Sequence, residues 1–192
     1  MTKPVPKDEE IIFDPDRFVI SKTDPKGYIT YANEFFCSVC LYNKDELKGV
    51  NHNIIRHPDM PKIAFKLMWD TIKSGKKFKA LVKNLAKDGR YYWVFAEVEP
   101  HFDPTTGEIV SYTAYRKAPS REAIAAIEPI YKALISKEQV GGMSASLDFL
   151  NKYLADNQTT YDELIDSLTK DVKISRSGIF NFIKNLFSKK SW

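Results

Sequence analysis

Residues 77–100 read KFKALVKNLAKDGRYYWVFAEVEP, and the pairing of these two runs decides the fold. In the first run a period of two puts Phe78, Ala80, Val82, Asn84 and Ala86 on one face, and lysines with Leu81 and Leu85 on the other. Asp88-Gly89 is a strong hairpin signal between the runs. The second run is apolar on both faces, as a central strand must be when both of its sides are covered. One residue breaks the pattern: Asn84 points with the apolar set. A buried amide must find partners, and either a backbone carbonyl of a neighbouring loop or a bound molecule with its own donors and acceptors supplies them.

Immediately upstream, MPKIAFKLMWDTIKSG (60–75) carries a polar stripe of Lys62, Lys66, Asp70 and Lys73 at helical spacing. The rest of this helix is largely apolar, an arc wide enough for contacts on more than one side. Trp69 stands at the edge of that arc, one turn from Phe65, where a large ring covers either core or a ligand. Before the helix lies NHNIIRHPDMP (51–61), with His52, Arg56, His57 and Asp59 close together. His57 precedes a proline and should end any local turn, Asp59 is placed to cap the following helix, and Pro61 suits its first turn. Two histidines five apart with an arginine beside them make a poor metal site. No nucleophile stands near enough for catalysis, and no phosphate-cradling glycine loop or metalloprotease motif occurs in the chain. Two readings remain. One is a surface loop with Arg56 paired to Asp59. The other is a wall for an anionic or polar ligand, since Arg56 offers a two-pronged donor, His57 a switchable one, and the helix a positive N-terminus.

Toward the N-terminus, FVISKTD and GYITYAN form a hairpin across Asp24, Pro25 and Gly27. NEFFCSVCLY follows as a short helix capped by Asn33, and Asn43 with Glu46 makes a capping arrangement over NKDEL. The only cysteines, Cys37 and Cys40, lie on an apolar helix face, where they read as small hydrophobes rather than as a redox pair. Toward the C-terminus, IVSYTAYRK supplies a fifth strand. Beyond Pro119, Ile124, Ile127, Tyr131 and Leu134 form a narrow helical seam, with a kink expected at Pro129 and a joint at Gly141-Gly142. Three amphipathic stretches close the chain. The second has a capping box at Thr160 and Glu163, and the third (177–192) ends in lysines and a tryptophan that suit a protein surface or a membrane surface.

The order TDPKGYITYANEFF, KDELKG, a loop, a long helix and three strands resembles a PAS sensor domain. The stretch HNIIRHPDMPKIAFKLMWDTIKSGKKFKALVKNLAKDGRYYWVFAEVEP resembles more specifically the PAS domain of bacterial aerotaxis and energy-taxis receptors, and the likeness extends through EAIAAIEPIYKAL. The resemblance implies an α+β fold, a five-stranded antiparallel sheet with helices on one side, here followed by a helical extension. It also implies noncovalently bound FAD, with Arg56, His57, Asp59, Trp69 and Asn84 lining the pocket. Trp69 would sit against the flavin or adenine part, and Asn84 would bond a polar edge of the ring. Flavin photoreceptor relatives need a cysteine in the helical motif that here reads HNIIRHPDMP, so no light-driven adduct is expected. The pair Leu41-Tyr42 stands where many PAS domains have Gly-Tyr.

The expected organisation is an arm over 1–17, the PAS domain over 18–118, a connector helix over 119–138 and a helical extension over 143–192. With 192 residues, 43% hydrophobic and a dispersed net charge of +4, the chain has the composition of a globular protein without a nucleic-acid surface. No secretory signal or membrane-length apolar run is visible, so a cytoplasmic address is expected, with membrane contact at most peripheral through the last helix. The resemblance makes the chain a sensor rather than an enzyme, signalling in trans to a membrane-bound chemotaxis transducer, with room for a homodimer. Alternatives are a haem-binding PAS gas sensor, a small flavin-dependent reductase lacking a nicotinamide fingerprint, and a cofactor-free PAS interaction module.

Overall fold

A computed structural model describes residues 3–172. The hairpin read from residues 77–100 forms as β3 (Phe78–Leu85) and β4 (Tyr91–Phe102), antiparallel, with Val82 opposite Val94 and Asn84 opposite Tyr92. Its turn closes through Ala86 N–H to the Arg90 carbonyl at 2.7 Å. Gly89 is required there: its φ is +92°, and an added Cβ would stand 2.3 Å from the carbonyl oxygen of Val5 in the N-terminal arm. The remaining strands are β1 (Val19–Thr23), β2 (Ile29–Ala32) and β5 (Ile109–Lys117). They complete a five-stranded antiparallel sheet in the order β2-β1-β5-β4-β3.

On one face of the sheet lie α1 (Glu34–Cys40), α2 (Lys44–Leu47), a 3-10 turn (His52–Ile55) and α3 (Lys62–Lys73). Asn33 caps α1 by accepting the Phe36 N–H at 2.8 Å, and Asn43 and Glu46 form the expected capping box on α2. Phe36, Val39, Cys40, Leu47 and Ile55 pack on Val19, Tyr92, Val94 and Ala96 of this face. Burial pushes the Cys40 thiol up to about 12, so it serves as a small hydrophobe and not as a reactive thiol.

The C-terminal helices cover the other face and the β3 edge. α4 (Arg121–Asp156) lays Ile127, Tyr131 and Leu134 against Leu81, Trp93 and Phe95. The Tyr131 hydroxyl donates to the Leu81 carbonyl at 2.7 Å, and its ring stacks on Trp93 with centroids 6.4 Å apart. α5 (Tyr161–Leu168), started by the Thr160–Glu163 capping box, stacks Tyr161 on Phe78 and pairs Asp166 with Lys79. The third amphipathic stretch, 177–192, lies outside the described residues. Among the described residues no helix is long and apolar enough to cross a membrane.

Two local expectations are corrected. α4 keeps helical dihedrals through Pro129, so that the only break in them is the expected joint at Gly141 and Gly142. A proline inside a helix costs about 3 kcal/mol, whereas each buried Ile or Leu contributes roughly 1.5–3 kcal/mol, so the seam of Ile127 and Leu134 holds the helix through it. The glycines, with no seam residue of their own, take the bend. The second correction concerns Asp59, which does not cap α3. The helix begins three residues later, its N-cap Pro61 offers no side-chain bond, and Asp59 is engaged by Lys83. The cap comes from 75 residues away: Glu138 Oε1 of α4 accepts the Ile63 N–H at 2.8 Å.

Both long-range contacts are measurable by urea denaturation. Tyr131→Phe strands the buried Leu81 carbonyl and lowers stability by about 1–3 kcal/mol. Glu138→Ala removes the side-chain cap that α3 has among the described residues and costs about 0.5–2 kcal/mol. An unchanged midpoint in either variant removes that contact from the account.

Candidate functional site

Between the inner face of the sheet and α3 lies a cavity of about 650 Å³. Val82, Ala96, Val98 and Ala114 floor it, Phe65, Met68, Trp69 and Ile72 form the helical wall, and Arg56 stands at one side. Such a volume, mostly apolar with a few polar groups, lies in the range of about 300–1,000 Å³ typical of small-molecule and cofactor sites.

Three of the five residues expected from sequence meet here. Asn84 is 5% exposed, yet among the described residues its side-chain amide has no hydrogen-bond partner; its backbone is bridged by that of Arg56. The loop therefore supplies Asn84 with a main-chain neighbour and leaves the amide facing the cavity. Trp69 lies edge-on to Tyr112, centroids 5.8 Å apart, and over Gly27, whose Cβ would approach the indole to 3.1 Å. Here a glycine lets a turn and a ring approach closely enough to close one end of the site. Arg56 stacks its guanidinium 3.9 Å above the Phe65 ring and donates to the Met60 carbonyl at 3.3 Å. Asp59 is not its partner.

His57 and Asp59 lie elsewhere. Arg56 has an extended backbone, so successive side chains leave it in opposite directions. Arg56 reaches the cavity, whereas His57 lines only a second one of about 540 Å³, which Arg56 also borders together with Lys3, Pro4, Ile135 and Glu138. His57 Nδ1 accepts the Asp59 N–H at 3.1 Å, and Asp59 takes the Lys83 ammonium at 2.8 Å. Burial and Lys83 hold the His57 ring down to about 4, so it is neutral at physiological pH. This cluster braces the Arg56 loop from outside.

The sequence reading passed over a polar group on the cavity floor. Arg116 is 6% exposed; Nη1 donates to Ser21 Oγ at 3.0 Å, and Nη2 lies 3.0 Å from His52 Nε2. Arginine has no acceptor, so His52 Nε2 must accept and its proton must sit on Nδ1. Ser21 Oγ also lies 2.9 Å from that nitrogen. Burial and Arg116 hold His52 down to about 3, while burial lowers Arg116 to about 10. Arg116 is therefore still a cation, beside a neutral imidazole and a hydroxyl. A signal was available in IVSYTAYRK: Arg116 shares its parity with Tyr112 and Ala114, both inward-facing. His52 carried no comparable periodicity, because a 3-10 turn places it.

Residues 29–115 match the family model described as PAS fold. The chain is similar to the aerotaxis receptor of Escherichia coli strain K12, at 46% identity over 62% of this chain and 23% of that protein. It is also similar to the nitrogen fixation regulatory protein of Klebsiella pneumoniae, at 31% identity over 51% of this chain and 20% of that one. The chain thus spans about a quarter or less of the length of these curated relatives. Among solved structures, one described as "Flavin Analogue Sheds Light on Light-Oxygen-Voltage Domain Mechanism" superposes with a TM-score of 0.51 at 24% identity, covering 57% of this chain and 82% of that one; it shares the fold. By sequence match and by architecture, residues 29–115 of this chain have the PAS fold.

Proposed function

We propose that this PAS domain holds FAD noncovalently in the 650 Å³ cavity and serves as a cytoplasmic redox sensor of the aerotaxis type, signalling in trans to a membrane-bound chemotaxis transducer. The observation that carries the reading is Asn84, a nearly buried amide whose hydrogen-bonding groups face a cofactor-sized cavity and find no partner among the described residues. The similarity to an aerotaxis receptor, 46% identical over 119 residues, supports the choice of cofactor that the resemblance of residues 52–100 implies.

Bound flavin supplies a ring whose charge and protonation change on reduction. The protein's part is to hold that ring and register the change. Asn84 offers a donor and an acceptor, and turning its amide exchanges them. Trp69 gives an aromatic face at the Gly27 end, and Arg56 gives a cation fixed on Phe65. His57 and Asp59 act one step back, keeping the loop that carries Arg56 against the β3 edge. From Asn84 a continuous set of contacts leads outward: its backbone bridges to Arg56, Arg56 stacks on Phe65 of α3, and α3 is capped by Glu138 of α4. A rearrangement at the amide can therefore bias the position of α4, the surface offered to a partner.

Of the alternatives, a haem sensor is disfavoured by one specific contact. The only histidine lining this cavity is His52, and its Nε2 is held by Arg116 and Ser21 rather than presented for ligation.

The visible spectrum of the purified protein after addition of FAD tests the proposal. A two-band flavin spectrum that bleaches with dithionite is expected; a Soret band, or no retained flavin, overturns it. Asn84→Ala removes hydrogen bonds of about 1–3 kcal/mol and weakens FAD binding roughly 10- to 100-fold by titration. Trp69→Ala has an effect of the same order, and unaltered affinity in both variants would show that the ligand lies elsewhere.

A further inference from the structure

On the face of the sheet away from the cavity, the cover that α4 gives is partial. Its seam lies on Leu81, Trp93 and Phe95 of β3 and β4, and α5 is held at β3 by the pair of Asp166 with Lys79. Beyond them the outward side chains of β1, β5 and the rest of β4 run in cross-strand rows: Ile20 opposite Tyr115 opposite Glu97, and Lys22 opposite Thr113 opposite Glu99. Ile20 and Tyr115 are each 2% exposed. Neither belongs to the apolar clusters that the described helices build with the sheet. Cross-strand neighbours shield the sides of a ring standing off a strand and leave its top to water, so burial this complete requires a layer above it. The same face carries two carboxylates and, among the described residues, one ion-pair partner for both: Lys77 reaches Glu97 at 3.3 Å and also bonds Glu99. Burial and the hydrogen bond shared with Glu99 push Glu97 above the ordinary carboxylate range. The layer that suits this face is apolar, with cationic groups at the Glu97 and Glu99 end.

We infer that residues 173–192 of this same chain are that layer, a basic amphipathic segment that docks across the outer face of β1, β5 and β4. Apart from residues 1 and 2, they are all of the chain that lies outside the described residues. Their chemistry matches the face: Ile179, Phe182, Ile183, Leu186 and Phe187 recur at helical spacing, and residues 173–192 hold five Lys and Arg with no Asp or Glu. Set over Glu97 and Glu99, these cations complete the charge balance that Lys77 alone leaves short. The reach also suffices. Val172 packs on the cluster under α4 and α5, and three interstrand steps, about 14 Å, separate β3 from β1. Residues 173–178 span roughly 20 Å when extended. A membrane surface or a second copy would suit the composition of the segment as well, but either would leave Ile20 and Tyr115 open in a single chain, where they are closed. The inference is independent of what the cavity holds.

Carbodiimide cross-linking of the full chain, which joins a carboxylate to an amine in contact with it, needs no variant. Links within one chain from Glu97 or Glu99 to Lys184, Lys189 or Lys190 are expected, in a yield similar to the link between Asp166 and Lys79 that serves as the standard. Formation of the standard without them overturns the inference. In a mixture of isotope-labelled and unlabelled protein, links that join the two forms would assign the segment to a second copy and overturn it as well. Hydroxyl-radical footprinting supplies the second measurement. In the wild type Tyr115, 2% exposed, is expected to be oxidised roughly tenfold more slowly than Tyr28, 44% exposed. In the double variant Phe182→Asp, Leu186→Asp its rate rises toward that of Tyr28, while Tyr131 under α4 stays protected. Equal protection of Tyr115 in wild type and variant overturns the inference, and so does protection that appears in the wild type only when phosphatidylserine vesicles are added.

Discussion

Everything in this domain depends on the register between β3 and β4. Both faces of the hairpin are buried: Val82, Asn84, Val94 and Ala96 look toward the cavity side, while Leu81, Trp93 and Phe95 look toward α4. A slip of one residue would exchange the two sets. Asn84 would leave the cavity, and Leu81 would move away from the helix seam that covers it. The pattern forbids this on both sides at once, and the 86–90 turn, with Gly89 wedged against the N-terminal arm, fixes the pairing at its closed end. A single register therefore delivers the polar group to the cavity and the apolar wall to α4.

That double burial also explains how much could be read from sequence. Period-two alternation marked Asn84 as inward, and the Asp88-Gly89 turn located the hairpin, because both signals are local. Trp69 stood out because it lay at a polar boundary. The errors were of another kind. Asp59 has the chemistry of a helix cap and sits just before a helix, but Lys83, 24 residues on, takes the carboxylate, and Glu138 supplies the cap from α4. Arg56 and His57 both border the smaller cavity, but only Arg56 also reaches the larger one, because extended backbone sends neighbouring side chains apart. Competition between partners distant in sequence leaves no local trace.

Arg116 is the instructive omission. Its strand gave the parity needed to place it inward, as it did for Asn84. A strand-final Arg-Lys pair also reads as the solvent-exposed end of a strand, and only the pairing of β5 with β1 and β4 shows that the first of the two is enclosed. Inward polar residues in a largely apolar strand deserve the same question whether they carry an amide or a charge.

The distribution of unsatisfied chemistry then separates the two cavities. In the smaller one the groups answer each other: His57 accepts from Asp59, Asp59 from Lys83, and Glu138 from Ile63. Its job is to hold the arm, the loop and α4 together. In the larger one, among the described residues, Asn84 has no side-chain partner and Arg116 no counter-charge, beside Val82, Ala96, Val98 and Ala114. Each such group lowers stability by amounts comparable to a fair share of a domain's net 5–15 kcal/mol. A ligand that satisfies them binds only the folded chain and returns that stability in proportion to its affinity. The cost of the two groups and the affinity of the site are thus the same free energy seen from two states, which is why polar residues that weaken the domain by itself are the ones that define what it holds.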